Sequence, residues 1–81
     1  MMKDTVEIYT APTCPDCKAA KQFLSNHNIS FSDHDVSEQL EQDALKKLTG
    51  KQIVPTIKIG QKIFIGFAAN RKEIENLLLG S

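Results

Sequence analysis

The chain opens with alternation: Val6 and Ile8 are interleaved with Glu7 and Tyr9, which predicts a half-buried strand over Thr5–Thr10. Pro12 stops regular pairing there. The period then changes. Cys17, Ala20, Phe23, Leu24 and His27 recur at helical spacing, with Lys18, Lys21 and Gln22 on the outer side. Pro15 suits the first turn of that helix, because its fixed φ fits and its missing N–H would be unpaired anyway. Asn26-His27-Asn28 suits the end, since asparagine tolerates the left-handed conformation. Ile29–Val36 holds a second, more polar strand, as expected at a sheet edge. Ser37 then reads as a helix N-cap with Glu38 favourable to the dipole. Leu40, Ala44, Leu45 and Leu48 form the apolar stripe of a second helix that stops before Gly50.

After Ile53-Val54-Pro55, a third strand is predicted over Thr56–Ile59, reversing at Gly60-Gln61 into a fourth over Lys62–Ile65. Two registers are open. A two-residue loop pairs Ile59 with Lys62, whereas a three-residue loop puts Ile57, Ile59, Ile63 and Ile65 on one face. Asn70 and Glu73 have capping-box spacing, opening a third helix with Ile74, Leu77 and Leu78 inward. The order is β-α-β-α-β-β-α. A right-handed crossover makes the first two strands parallel. The hairpin adds two antiparallel strands, giving an α/β fold: a mixed four-stranded sheet flanked by helices. At 81 residues, one domain spanning 1–81 is expected.

Composition narrows the function classes. Ten basic residues balance ten acidic ones, so no bulk field draws nucleic acid or an anionic membrane. Apolar runs are too short to span a bilayer, and Met1-Met2-Lys3-Asp4 lacks the apolar core of a secretory signal. A cytoplasmic monomer is the expectation. Two cysteines do not make a disulfide-stapled scaffold.

Those two cysteines lie in Thr13-Cys14-Pro15-Asp16-Cys17, between the first strand and the first helix. Cys14 at a helix N-terminus meets free N–H groups and the positive end of the dipole, which favour the thiolate. Cys17, one turn on, can attack a mixed disulfide formed on Cys14 and is expected to be the less exposed sulfur. Asp16 opposes the thiolate by like-charge repulsion, with Lys18 and Lys21 available to offset it. The rival chemistry is metal binding, either of zinc or of an iron-sulfur cluster that bridges a dimer through Cys14. Cys14, Cys17, His27 and His34 supply four zinc ligands in number. Their spacing is not that of a zinc finger, and there is no second C-x-x-C. A purely structural disulfide across so short a loop would restrain the unfolded chain little. Redox chemistry fits better, and no metal site is expected.

Cys14-Pro15-Asp16-Cys17 after the first strand, Val54-Pro55 before the third and Gly66 after the hairpin together resemble the glutaredoxin family of the thioredoxin superfamily. The resemblance implies a thioredoxin-like fold and a thiol-disulfide oxidoreductase with no bound cofactor. It implies a cis Val54–Pro55 bond facing the cysteines and a substrate backbone pairing with Val54. Thr13, Pro15, Gly66 and Phe67 would border that substrate. Three positions depart from the pattern. Asp16 stands where an aromatic residue is usual, Ala11 where a lysine commonly meets glutathione, and Phe67-Ala68-Ala69-Asn70 where a second glycine and an acidic pair are usual. Asn70 would still leave N-terminal N–H groups open to an anion. Gly66-Phe67 resembles the NrdH-type redoxins, which take electrons from thioredoxin reductase and serve ribonucleotide reductase, although Ala68-Ala69 does not continue that match. Disulfide-containing proteins are the implied partners, and either thioredoxin reductase or a low-molecular-weight thiol such as glutathione is the implied reductant.

Overall fold

A computed structural model describes residues 5–80; the reading of Met1-Met2-Lys3-Asp4 falls outside them. The elements are β1 (Val6–Thr10), α1 (Pro15–Asn26), β2 (Ser32–Asp35), α2 (Gln39–Thr49), β3 (Thr56–Ile59), β4 (Lys62–Ile65) and α3 (Arg71–Leu79), with a 3₁₀ turn over Ala68–Asn70 before α3. The sheet runs β2-β1-β3-β4. β1 pairs parallel with β2 and antiparallel with β3, and β4 pairs antiparallel with β3. This is the expected topology, with the polar second strand at one edge. No helix among the described residues is long and apolar enough to cross a membrane.

Alternation along β1 sends its side chains to two different environments. Val6 and Ile8 join Ile57, Ile59 and Phe64 of the hairpin, Ala20, Phe23 and Leu24 of α1, Phe67, and Ile74 of α3 in the main core. Glu7 and Tyr9 point to the other face, which mixes charged and apolar side chains. There the Tyr9 and His34 rings stack at 4.6 Å, and His34 contacts Glu41 of α2 at 2.9 Å and Glu7 at 3.1 Å. Lys58 of β3 lies 3.9 Å from Glu7. α2 therefore docks through Glu41 and the fully buried Leu45.

Four expectations change, and the open hairpin register is settled. Leu40 is 81% exposed, because the docking stripe of α2 runs through Glu41, Ala44, Leu45 and Leu48 and Leu40 lies about 100° round the helix from Glu41. Ser37 does not cap α2: its N–H donates to the Asp35 carboxylate at 2.9 Å in a side-chain-closed turn, and Glu38 takes the N-cap position. Asn70 does stand at the N-cap of α3, yet the capping box is not formed. Its side-chain amide donates instead to the carbonyls of Ile65 and Gly66, at 2.9 and 2.8 Å. Leu77 is 39% exposed, leaving Ile74 and the half-buried Leu78 as the inward residues of α3. The hairpin uses the two-residue loop, with Ile59 opposite Lys62 and Gly60 at φ 60°. That register puts Phe64 opposite Ile57 in the core and leaves Ile63 and Ile65 on the other, incompletely covered face. Asn28, at φ 57°, ends the turn after α1 as anticipated.

Leu24 and Leu40 give a contrast that checks this packing. Leu24→Ala should cost about 2–5 kcal/mol by removing buried methyls that neighbours cannot fully replace. Leu40→Ala should stay within about 0.5 kcal/mol of the parent. Urea unfolding followed by circular dichroism measures both. Equal losses at the two positions would refute the assigned orientation of α2.

Candidate active site

The strand-to-helix turn places Cys14. After Thr10 the chain turns on a hydrogen bond from the Cys14 N–H to the Ala11 carbonyl, at 3.2 Å. Cys14 has extended backbone, φ −96° and ψ 110°, and is the N-cap of α1, with Pro15 in the first turn. Its sulfur accepts the N–H of Cys17 at 3.2 Å, the role that a serine or aspartate oxygen usually fills. Cys14 is half-buried and Cys17 is 1% exposed, so the division into an accessible and a covered sulfur is as expected. No disulfide joins the two cysteines in this structure. Burial pushes the Cys17 thiol up to about 12. The hydrogen bond to Cys14 adds to this, a backbone hydrogen bond at Ala11 opposes it, and negative charge on Cys14 and Asp16 raises it further.

Asp16 has a role that the sequence did not disclose. Its carboxylate accepts the backbone N–H of Phe67 at 2.9 Å and of Ala68 at 3.2 and 3.3 Å through its two oxygens. A bond between residues 51 or 52 positions apart has no periodic signature, and an aspartate in a first turn is already accounted for by the helix dipole. The contact ties the C-x-x-C turn to the segment that follows β4. That segment is tied in turn to Pro55, whose carbonyl accepts the Gly66 N–H at 2.8 Å. Gly66 stands at φ 91°, a conformation glycine adopts without the Cβ penalty. The Val54–Pro55 bond is cis. The Thr56 hydroxyl, donating to the Ile53 carbonyl at 2.7 Å, closes this loop.

The residues expected at the site thus sit on three hydrogen-bonded segments. Thr13 and Pro15 are exposed, Val54 and Gly66 half-buried, and Pro55 buried. Phe67 is 2% exposed, its ring 5.5 Å from that of Phe23 in the core. The Arg71 guanidinium covers both rings, at 5.7 and 5.6 Å, a contact that helical spacing alone would not reveal. The two histidines are placed elsewhere. His27 is the C-cap of α1, and His34 is held between Glu7 and Glu41 on the other face of the sheet. Among the described residues, no group of three or more His, Cys, Asp and Glu side chains converges as a cation site. A cavity of about 730 Å³ lies at the far end of β1 and α1 from the cysteines, between Thr5, Asn28, Phe31 and Leu78.

The chain has counterparts among known proteins. The family model for glutaredoxin matches residues 6–65. A glutaredoxin-like 8.6 kDa protein from a rubredoxin operon of Clostridium pasteurianum is 38% identical over 74 residues, covering 90% of this chain and 96% of the relative. Glutaredoxin 3 of Escherichia coli is 38% identical over 55 residues, 67% of this chain and 66% of that protein. In three dimensions, a glutaredoxin from Archaeoglobus fulgidus superposes with a TM-score of 0.75 at 25% identity, covering 91% of this chain and 85% of that one. A thioredoxin-like protein superposes with a TM-score of 0.81 at 28% identity, covering 91% of this chain and 100% of the other. With its sheet order, its cysteine-capped helix and these matches in agreement, the chain belongs to the glutaredoxin family.

Proposed function

We propose that the protein is a thiol-disulfide oxidoreductase that cycles Cys14 and Cys17 between dithiol and disulfide. The observation that carries the reading is the pairing of a half-buried Cys14 sulfur at the N-cap of α1 with a buried Cys17 whose N–H points at it. The Cys14 thiolate attacks one sulfur of the substrate disulfide. The substrate S–S bond breaks, and its departing sulfur leaves as a thiolate that takes a proton from water. Cys17 then gives up its proton to water and attacks Cys14, closing the Cys14–Cys17 bond and releasing the second substrate sulfur as a thiolate that takes a proton from water. Two electrons pass from the protein to the substrate.

Cys17 is timed by Cys14. Two of the influences that hold the Cys17 thiol protonated, its hydrogen bond to Cys14 and the negative charge there, depend on a free Cys14 sulfur. Both vanish once Cys14 is bound in a mixed disulfide, so Cys17 becomes easier to ionise at the moment its attack is needed. The same logic keeps it inert in the resting dithiol.

In this reading a protein disulfide lays its backbone along Val54, bordered by Thr13, Pro15 and Gly66, with the buried Phe67 supporting the floor. Main-chain pairing recognises partners with little regard to their side chains. The setting is the cytoplasm, the protein acts as a monomer, and ribonucleotide reductase is among the acceptors. Electrons return from thioredoxin reductase or from a low-molecular-weight thiol such as glutathione. Ala11, Asp16 and the N–H groups already taken at Phe67 and Ala68 favour the first donor, because each removes a feature that an anionic thiol would use.

An NADPH-coupled assay separates the donors. Turnover with thioredoxin reductase, and little with glutathione plus glutathione reductase, is the expected outcome; the reverse would reject the NrdH-like assignment. Cys14→Ser should abolish disulfide reduction, and Cys17→Ser should trap a mixed disulfide on Cys14, visible by mass spectrometry. Full activity in Cys14→Ser would overturn the proposal.

A pH series tests the Cys17 environment. With its folded value at about 12 against an ordinary 9.0, both states keep the proton below 9, and above it the unfolded chain ionises first. Stability of the reduced protein is therefore fully present below pH 9.0 and is lost as pH rises toward 12. Alkylation of Cys17 by iodoacetamide should keep accelerating above pH 9.0, whereas in Cys14→Ser it should level off earlier. Peptide mass spectrometry reads both; identical profiles would refute the coupling.

A further inference from the structure

We propose that Asp16 is a specificity-determining residue that turns this site against disulfides carrying carboxylates and toward neutral or cationic ones. The inference rests on the reading that Cys14 and Cys17 reduce disulfides, and it concerns which ones.

The carboxylate lies between the two sulfurs in sequence, is half-buried, and has no freedom to swing away. Three contacts at 2.9, 3.2 and 3.3 Å from the N–H groups of Phe67 and Ala68 hold both oxygens. A charge fixed by backbone donors acts on an approaching substrate without reorganising first. Its field reaches the Cys17 sulfur, where Asp16 is the smallest of the influences that raise the thiol. Nearby cations are engaged elsewhere. Lys21 is paired with Asp33 at 3.1 Å, and Arg71 with Glu75 at 2.9 Å while it covers Phe23 and Phe67. Lys18 stands on the exposed side of α1 and Lys72 in the first turn of α3, both exposed to solvent.

A substrate carboxylate therefore meets a negative charge at the rim. It also finds the N–H groups of Phe67 and Ala68 already occupied by an internal carboxylate, so it gains no hydrogen bond there in exchange for lost water. A substrate ammonium meets the opposite field. In the reaction the reduced protein and one disulfide give two substrate thiols and the Cys14–Cys17 disulfide, so the charge of the substrate changes the rate and leaves the electron balance unaltered.

The test uses the reduced full chain at low ionic strength with three model disulfides: dithiodipropionate (anionic), bis(2-hydroxyethyl) disulfide (neutral) and cystamine (cationic). Samples quenched in acid and alkylated are counted for remaining protein thiols by mass spectrometry, giving second-order rate constants. The parent should rank cationic, then neutral, then anionic. Asp16→Asn keeps an oxygen acceptor for the two N–H groups and removes the charge. It should raise the anionic-to-neutral ratio about three- to tenfold and lower the cationic-to-neutral ratio, a spread typical of one partly screened charge. Salt at about 0.5 M should compress the ranking in the parent and leave Asp16→Asn little changed. A merely structural role for Asp16 would shift all three rates by one factor. Ratios unchanged in Asp16→Asn, alongside normal reduction of the neutral disulfide, would overturn the inference alone. A parent that fails to reduce the neutral disulfide would overturn the oxidoreductase reading and this inference with it.

Discussion

β1 cannot leave either edge or either face unpaired, and the fold is built around that constraint. Its backbone is bonded to β2 on one side and β3 on the other, and its ends are fastened too. The Thr5 carbonyl accepts the Gly60 N–H at 3.0 Å, and the Thr10 carbonyl accepts the Val36 N–H at 2.8 Å. An unpaired N–H or carbonyl in so buried a strand would cost about 1–3 kcal/mol, a large share of the stability of a small domain. With Thr10 pinned, the turn that follows has one place to go, and Cys14 arrives at the head of α1.

From that anchor the site is assembled by hydrogen bonds rather than by packing alone. Cys14 accepts from Cys17, Asp16 from Phe67 and Ala68, and Pro55 from Gly66. Each bond uses a main-chain donor, so the arrangement depends on where the backbone lies more than on which side chains surround it. The apolar core beneath, with Phe23, Phe67 and Ile74, keeps these segments in register. Cys14 and Asp16 are the positions where a side chain is the acceptor, so there the identity of the residue matters as well.

Much of the fold was legible because burial leaves a period. The alternation of Val6 and Ile8, the spacing of Cys17, Ala20, Phe23 and Leu24, and the turn residues Gly60 and Asn28 all map onto the observed elements. Errors fell where a polar group replaces an apolar one in a packed position. Glu41 docks α2 through His34, so a stripe drawn from leucines alone wrongly included Leu40. Ser37 and Asn70 sit beside helix starts, but an aspartate turn and two strand-end carbonyls were the stronger partners. At the site, the cysteines and Val54-Pro55 were readable as motifs. The Asp16 contact was not, because two backbone N–H groups carry no letter in a sequence.

The Asp16 contact also orders events in time. Cys14, Asp16 and Cys17 are synthesised early, whereas the amides that hold Asp16 belong to residues 67 and 68. A chain emerging from the ribosome therefore presents two thiols long before β3, β4 and the following turn exist to shape their surroundings. The part of the geometry that Asp16 supplies therefore belongs to the folded chain and forms only when residue 16 has met residues 67 and 68, whereas the contact between Cys14 and Cys17 is local to the start of α1.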